Sequence, residues 1–391
     1  MQNVYLDYAS TTPVDPLVKK EMERYFCQAY GNPGSPHQLG QEAHRAIGDS
    51  RRRVAKVLNC SPKEVIFTGG GTESVNLAIK GVCRALKHKG KHIITQKTEH
   101  AAVLRTCEYL EKSEGFEVTY LPVDKEGFVR VDDIAAAIRQ NTILISVMYA
   151  NNEVGTIQPI YQMGELARKH NIIFHSDACQ AGGLLPLDVG KLNVDLLSIN
   201  SSKVYGPKGV GALYIRNGTN IDPIIHGGEQ EQGLRGGTEN VSGIVGFAKA
   251  IELAENRRED EVPRLCKLRD LLLDGIIKSI PDASVNGPTR CRLANNLNVG
   301  FRGVDASVLV SHLDAKGISV STGAACTKDH IKISHVLSSL GISDETAKGS
   351  IRISLGKHTT QKEIEYFIFT LSDVIQQLDN VHKITLRANL R

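Results

Sequence analysis

The chain has 391 residues, of which 41% are hydrophobic and 23% are charged, a balance typical of an ordinary globular enzyme. The formal charge of +4 is small for this length and only 5% of residues are aromatic, so nucleic acid is a poor candidate for the main partner. No apolar run approaches the roughly 20 residues that a membrane-spanning helix needs, which argues against a membrane protein.

The N-terminus enters a strand-like pattern at once and has neither the basic region nor the apolar region of a signal peptide. Eight cysteines are scattered along the chain without a CxxC pair. This pattern argues for a reducing compartment and against a disulfide framework or a zinc site. We therefore expect a cytoplasmic protein with no permanent metal site.

The first part of the chain predicts an α/β fold. A polar turn at 7–13 follows the first strand, and from residue 65 the sequence repeats strand, loop and helix, which predicts a largely parallel sheet covered on both faces. The predicted strands are 65–67, 92–95, 117–121, 142–148, 172–174 and 195–199, with an added strand at 211–215; the predicted helices are 17–25, 43–58, 72 onward, 101–112, 131–139, 161–170 and 244–257.

After about residue 259 the pattern changes to that of a smaller α+β domain. We predict an N-terminal segment (1–15) packed with the small domain, a large domain (16–258) and a small C-terminal domain (259–391). In the small domain the predicted strands are 296–301, 318–321 and 350–355, and the predicted helices are 265–280, 306–315, 333–340 and 361–378.

A lysine lies just past one predicted strand. Lys203 follows the run 195–199 and precedes the turn residues Gly206 and Pro207. The carboxyl ends of parallel strands are where α/β sheets present ligands, and a partly buried lysine can form a Schiff base with an aldehyde cofactor. On this stretch alone, a solvated loop lysine is the favoured interpretation.

Two further strand ends carry groups that suit a phosphate and a ring. Gly69, Gly70, Gly71 and Thr72 join a strand to a helix, where backbone N–H groups and the helix dipole favour an anion, although a plain tight turn fits too. His100 follows the strand 92–95 and could stack on an aromatic ring and move protons, although a lone histidine is more often structural.

An acid follows the strand 172–174. Asp177 could pair with a protonated ring nitrogen, the interaction that makes pyridoxal phosphate (PLP) an electron sink, and Gln180 could hydrogen-bond the ring hydroxyl. A helix N-cap is the alternative role for this aspartate. Since parallel topology brings such strand ends into one crevice, the order Gly loop, His, Asn-Asn-Glu, Asp-x-x-Gln and Ser-Ser-Lys predicts a PLP site.

The chain resembles class V, fold-type I PLP enzymes, and specifically cysteine desulfurases of the NifS/IscS type. The resemblance runs over nearly the whole chain and is jointly specific. It rests on the motifs at 5–13, 31–33, 72–73, 98–100, 151–155, 205–209, 235–238 and 350–356.

The resemblance implies a role for each matching residue. Lys203 would be the Schiff-base lysine, Asp177 the partner of the pyridine nitrogen, and Arg352 the clamp for the substrate carboxylate. Asn152 would contact both ring and substrate, and His100 would act on cofactor and substrate as acid and base. The remaining cofactor contacts implied are Gly71, Thr72, Gln180, Asn200, Ser201, Ser202 and, delivered from the other subunit of a homodimer, Thr238.

The resemblance also implies a second centre at Cys326. Small flexible residues precede this cysteine, and an exposed thiol near positive charge can act as a nucleophile. By residues alone, a free surface cysteine is the simpler interpretation. By the resemblance, L-cysteine becomes L-alanine and its sulfur stays on Cys326 as a persulfide. The segment that contains Cys326 would then deliver the sulfur to an iron–sulfur scaffold protein or a tRNA-thiolation pathway. Cys326 could also ligate an iron–sulfur cluster transiently.

Two residues depart from the family pattern, and the departure at Ser202 matters more than the one at Gly71. The family usually has histidine immediately before the Schiff-base lysine, and here Ser202 stands there; at Gly71 the family often has alanine. We interpret Ser202 as a change in how the protein binds the cofactor phosphate. Two alternatives remain open: a selenocysteine lyase or aminotransferase of the same class, and a weakly active docking platform for an iron–sulfur scaffold.

Overall fold

The computed structural model describes residues 3–322 and 333–389, with side chains to residue 378. The strands are β1 Val4–Tyr5, β2 Val65–Thr68, β3 His92–Gln96, β4 Glu117–Leu121, β5 Thr142–Ser146, β6 Ile173–Asp177, β7 Leu196–Asn200, β8 Gly211–Ile215, β9 Ala283–Val285, β10 Asn296–Phe301, β11 Ile318–Ser319 and β12 Ser350–Ser354. The helices are α1 Pro16–Cys27, α2 Gln38–Leu58, α3 Gly71–Leu86, α4 Ala101–Glu114, α5 Val131–Ala137, α6 Ile160–Lys169, α7 Val189–Leu192, α8 Val241–Ser279, α9 Ala306–Ala315, α10 His335–Ser339, α11 Asp344–Lys348 and α12 Gln361–Asn389.

The large sheet has seven strands in the order β2-β8-β7-β6-β5-β3-β4. The strands β3 to β7 run parallel to one another, whereas β8 runs antiparallel to both of its neighbours, β2 and β7. The predicted added strand therefore lies inside the sheet rather than at its edge. Helices cover the two faces, which is why β5 and β8 are buried along their whole length. The α/β prediction is confirmed.

Buried polar side chains cross-link the sheet near its centre. The ring of His175 on β6 bonds the hydroxyl of Ser146 on β5 through Nδ1 (2.8 Å) and that of Ser198 on β7 through Nε2 (2.9 Å). Burial lowers the pKa of His175 to about 4, so its ring is neutral at physiological pH. Three neighbouring strands are thereby held in register directly beneath their polar carboxyl ends.

A second, three-stranded sheet has the antiparallel order β12-β10-β9. The N-terminus joins this part of the chain: β1 pairs in parallel with β11, and Asp7 bridges to Ser354 at the end of β12. The side chains of Val4 and Leu6 enter the same apolar core as β10, β12 and α12. The sequence patterns predicted neither β9 nor α11.

The helix α8 connects the two parts. It runs continuously through the two predicted helices 244–257 and 265–280, with Pro263 inside it. The predicted boundary at residues 258–259 therefore lies within one helix, and the division into domains stays a prediction. In the described ranges 3–322 and 333–389, no helix combines the length and the apolar character that crossing a membrane requires.

Candidate active site

The carboxyl ends of β3, β5, β6 and β7 open into a cavity of about 370 Å³, at the edge where parallel sheets present ligands. Segments from the N-terminus and from β12 close its other side. The residues that line the cavity are Ala9, Ser10, Gly71, Thr72, His100, Met148, Ala150, Asn152, Asp177, Cys179, Gln180, Asn200, Lys203 and Arg352.

Lys203 stands at the end of a short 3-10 turn that follows β7. Its ammonium group donates a short hydrogen bond to the carbonyl of Ser10. Burial lowers the pKa of Lys203, and the nearby charge of Arg352 acts in the same direction. A larger fraction of this amine is thus unprotonated than in an exposed lysine, which is what a nucleophilic amine requires.

The first turn of α3 forms one wall of the cavity. Its N-cap is Gly70, at φ 142°, and no side chain caps the helix there. The helix therefore presents uncapped backbone N–H groups and its positive dipole end toward Gly71 and Thr72, an arrangement suited to a phosphate. Asn200 adds a side-chain amide to the same cavity, where its Nδ2 donates to the hydroxyl of Ser202 at 3.1 Å.

Asp177 is the last residue of β6 and is only 6% exposed. One carboxylate oxygen accepts the backbone N–H of Cys179 at 2.9 Å, which fixes the side chain at the cavity wall. Gln180, three residues later, donates from Nε2 to the carbonyl of Ala9 at 3.0 Å. Burial raises the pKa of the Cys179 thiol well above its ordinary value, and the Asp177 charge adds to this effect.

Arg352 projects from β12 and is 5% exposed. Its Nη2 donates to the Asp7 carboxylate at 2.8 Å and to the Ser10 hydroxyl at 2.6 Å, and its Nη1 donates to the Asn152 carbonyl at 3.1 Å. Its Nε has no protein partner although it is buried. The guanidinium is therefore held at the cavity by three hydrogen bonds, with its Nε unpaired.

His100 caps α4, where its Nδ1 accepts the backbone N–H of Ala102 at 3.1 Å. The ring is exposed at the rim of the cavity, so its other nitrogen is available to a ligand. The preceding residue, Glu99, is completely buried and accepts from Gln96 Nε2 (2.9 Å) and the backbone of Met148 (2.6 Å) through Oε1. Burial, with a smaller contribution from the charge of Asp177, raises the pKa of Glu99 to about 8.

Nine of the predicted site residues line this one cavity, and three other described ones do not. Ser201 and Ser202 lie beside it without lining it, and Thr238 is exposed outside it. Cys326 lies outside the residues that the structure describes. The nine that come together are Gly71, Thr72, His100, Asn152, Asp177, Gln180, Asn200, Lys203 and Arg352.

The sequence patterns missed the contribution of the N-terminal turn. Asp7 and Ser10 hold Arg352, and the carbonyl of Ser10 accepts from Lys203. The polar run after the first strand was visible in the sequence, but no local signal indicates that it meets β12. Cys179, two residues after Asp177, could have been found because parallel topology brings the whole strand end to the cavity.

The donor set fits PLP. An uncapped helix N-terminus suits the phosphate, a buried carboxylate suits the pyridine nitrogen, and a lysine of lowered pKa suits the aldehyde. Arg352 retains a buried, unpaired Nε for a further anionic group. Across the described side chains, no group of three or more His, Cys, Asp or Glu residues is arranged to hold a metal ion.

Comparison with known proteins gives one consistent result. The family described as "Aminotransferase class-V" matches residues 4–367. A protein of Dictyoglomus turgidum named "Cysteine desulfurase IscS" is 50% identical over 380 residues, which are 97% of this chain and 96% of the relative.

Solved structures agree with the sequence relatives. One titled "NIFS-LIKE PROTEIN" has a TM-score of 0.91 at 40% identity and covers 96% of this chain and 100% of its own. Another, titled "SspA in complex with cysteine", has a TM-score of 0.78 at 36% identity and covers 91% of this chain and 100% of its own. These likenesses confirm the predicted fold-type I class.

Proposed function

The chain belongs to the aminotransferase class-V family, and from this premise we propose that it is a PLP-dependent cysteine desulfurase. The net reaction is L-cysteine plus the Cys326 thiol giving L-alanine plus a Cys326 persulfide. Atoms and electrons balance without an external oxidant, because the transferred sulfur is oxidised while the Cβ that releases it is reduced to a methyl group, and the proton of the Cys326 thiol ends on carbon. The relatives named cysteine desulfurase that match nearly the whole chain support this reaction.

The cofactor would be held from three directions. Gly71 and Thr72 at the start of α3, with Asn200 and the neighbouring Ser201 and Ser202, would hold the phosphate. Asp177 would pair with the ring nitrogen, Gln180 and Asn152 would contact the ring, and His100 would lie against its face. When bound, PLP supplies the electron sink that permits bonds at the substrate's Cα and Cβ to break.

Arg352 and Lys203 both act on the substrate, and both are hydrogen-bonded to Ser10. The guanidinium of Arg352 binds the substrate carboxylate, for which its planar fork is suited. The amine of Lys203 accepts the proton that leaves Cα, a role that its lowered pKa supports. His100, exposed at the rim, exchanges a proton with the substrate's polar groups.

Cys326 completes the reaction as the sulfur acceptor. Its thiolate attacks the substrate sulfur, so that an S–S bond forms while the bond from sulfur to Cβ breaks, and a proton returned to the carbon skeleton gives alanine. The buried, high-pKa thiol of Cys179 in the same cavity is a poor competitor, because the thiolate is the reactive form.

The proposal extends to the compartment, the oligomeric state and the sulfur acceptor of the enzyme. We infer a cytoplasmic homodimer in which Thr238 of each copy reaches the phosphate site of the other, since Thr238 is exposed and lies outside its own cavity. The persulfide would pass to an iron–sulfur scaffold protein or a tRNA-thiolation acceptor.

One observation carries the proposal: Lys203, Asp177 and Arg352 line a single cavity together with the uncapped start of α3. These are the groups that would hold an amino acid and a phosphorylated pyridine at once. They come from four separate parts of the chain.

The test uses purified protein reconstituted with PLP and given L-cysteine with a reductant. We expect equal amounts of alanine and sulfide without any keto acid present. If cysteine is consumed only when a keto acid is supplied, and that keto acid is converted to the matching amino acid, the enzyme is an aminotransferase, and the proposal fails. If PLP binds but neither product appears, the docking-platform alternative gains support.

A preference for selenocysteine is checked in parallel. Turnover of L-selenocysteine with none of L-cysteine would assign the chain to the selenocysteine lyases.

A further inference from the structure

Tyr205, two residues beyond Lys203, has an unusual backbone. Its φ is 65°, in the left-handed region that a bulky aromatic residue rarely adopts. Such a conformation is strained and persists only where the surrounding structure determines it strongly. The contacts of Tyr205 therefore indicate what holds this part of the chain in place.

The N-terminal segment binds the backbone of Tyr205 on both sides. Its N–H donates to the hydroxyl of Thr12 at 2.8 Å, and its carbonyl accepts the N–H of Asp15 at 2.9 Å. Thr12 also donates its N–H to the carbonyl of Ser202 at 2.9 Å. The peptide groups on either side of Lys203 are thus tied to the same short segment.

The side chain of Tyr205 reaches the other part of the molecule. Its hydroxyl accepts the backbone N–H of Lys357 at 2.7 Å, and the Lys357 ammonium lies 4.4 Å from the ring centroid. Lys357 follows β12, five residues after Arg352. One hydrogen bond thereby joins the segment that carries Lys203 to the strand that carries Arg352.

The surroundings keep the Tyr205 hydroxyl neutral and compensate the charge beside its ring. Burial raises the pKa of Tyr205, so the hydroxyl stays neutral at physiological pH. The Lys357 ammonium pairs with the buried Asp15 carboxylate at 2.5 Å, so the charge beside the ring is compensated. The ring also contacts Tyr8, with 6.1 Å between the centroids.

We propose that Tyr205 is a positioning residue that fixes Lys203 relative to Arg352 and so sets how tightly the cavity holds an amino acid. The inference rests on the proposed function, because Arg352 is the residue assigned to the substrate carboxylate. Tyr205 does not line the catalytic cavity, and it acts only through the two segments that it joins.

The test is Tyr205→Phe, which keeps the ring and removes the acceptor for Lys357. Loss of one hydrogen bond between substrate-holding segments predicts a KM for L-cysteine raised roughly 3- to 10-fold, with kcat changed less than about twofold. Hydrogen–deuterium exchange should also quicken at residues 353–358, and not in β5.

Tyr120→Phe is the matched control. Tyr120 lies on β4, at the edge of the large sheet, and its hydroxyl donates to the carboxylate of Glu111 on α4 at 2.8 Å. This variant should leave KM and exchange at 353–358 unchanged. The proposal is overturned if Tyr205→Phe does the same, or if it lowers kcat with KM constant.

The exchange measurement separates this inference from the proposed function. If the wild-type protein releases no alanine from cysteine, the proposed function fails. Faster exchange at 353–358 in Tyr205→Phe would still support the link between the two segments, and unchanged exchange would refute it.

Discussion

Arg352 donates a 2.8 Å hydrogen bond to the carboxylate of Asp7, a residue 345 positions earlier in the chain. The guanidinium proposed to bind the substrate carboxylate is therefore already paired with one carboxylate of the protein. The pair holds the arginine in place before the substrate arrives, and the substrate must use the donors that Asp7 leaves free.

Arg352→Lys tests this arrangement. Lysine keeps the charge and can still pair with Asp7, but it lacks the fork that engages two carboxylates at once. Loss of a charged hydrogen bond predicts a KM for L-cysteine raised about 10- to 100-fold, measured by steady-state kinetics. The control is Arg302→Lys, an exposed arginine paired with Glu345, which should not change KM. An unchanged KM in Arg352→Lys would remove this residue from substrate binding.

Lys203→Ala should abolish turnover and covalent attachment of PLP. The measurement is mass spectrometry after borohydride reduction, looking for the cofactor on the peptide that contains residue 203. Lys208→Ala is the control, because Lys208 does not line the cavity and its amine donates to the carbonyl of Thr12 at 3.3 Å. Retained attachment in Lys203→Ala, with loss in Lys208→Ala, would reverse the assignment.

Ser202→His restores the residue that the family usually carries. Ser202 lies beside the cavity, and its hydroxyl accepts from Asn200. We expect PLP to stay bound and turnover to change by no more than about 10-fold, the worth of one hydrogen bond. PLP affinity and kcat are measured together, with Ser202→Ala as the comparison. A rise in kcat well beyond that range would mean that the natural protein is impaired, and would favour the docking platform.

Cys326→Ser separates cofactor chemistry from sulfur transfer. A hydroxyl barely ionises at neutral pH, so the variant should bind PLP and cysteine but accumulate no persulfide. Mass spectrometry after brief exposure to cysteine would detect the added sulfur. The control is Cys291→Ser, which removes an exposed free thiol and should leave the persulfide in place. An added sulfur on the Cys326→Ser protein would contradict the proposal.

Glu99→Gln should change how stability depends on pH. Burial raises the pKa of Glu99 to about 8 from 4.5, so the folded state holds a proton that the unfolded state has released between these values. The wild-type free energy of unfolding should therefore fall relative to the variant as pH rises from about 5 to 8, by at most about 1.4 kcal/mol per pH unit. Urea denaturation across this range measures the difference. A constant difference would show that Glu99 does not titrate there.

The positions of the strand-end residues could be predicted from the sequence because they follow local signals. Asp177 and Lys203 each lie at or just after an apolar run, and parallel topology brings such ends to one edge. Gly71 was predicted in the same way, because it lies in the glycine-rich turn that joins a strand to a helix. The residues at a strand end can be identified from the neighbouring sequence. The pairing of Asp7 with Arg352 cannot, because it joins residues from opposite ends of the chain.

Two elements show where local patterns gave the wrong boundary. Pro263 indicates a helix break and was predicted to lie between two helices, but α8 continues through it. Packing of this helix on α1, α2 and α12 compensates the missing hydrogen bond. The strand β6 extends to Asp177, three residues beyond its prediction, because its polar end pairs with β7.

The parallel pairing of β1 with β11, and the hold of Asp7 on Arg352, have a consequence for biosynthesis. The residues of β1 and Asp7 leave the ribosome long before their partners, which are translated more than 300 residues later. At the usual rates of roughly 5–20 residues per second, this wait lasts on the order of tens of seconds. A nascent chain that stops before β12 has no guanidinium in the cavity. Premature termination should therefore yield products unable to grip an amino acid, however well their large sheet has folded.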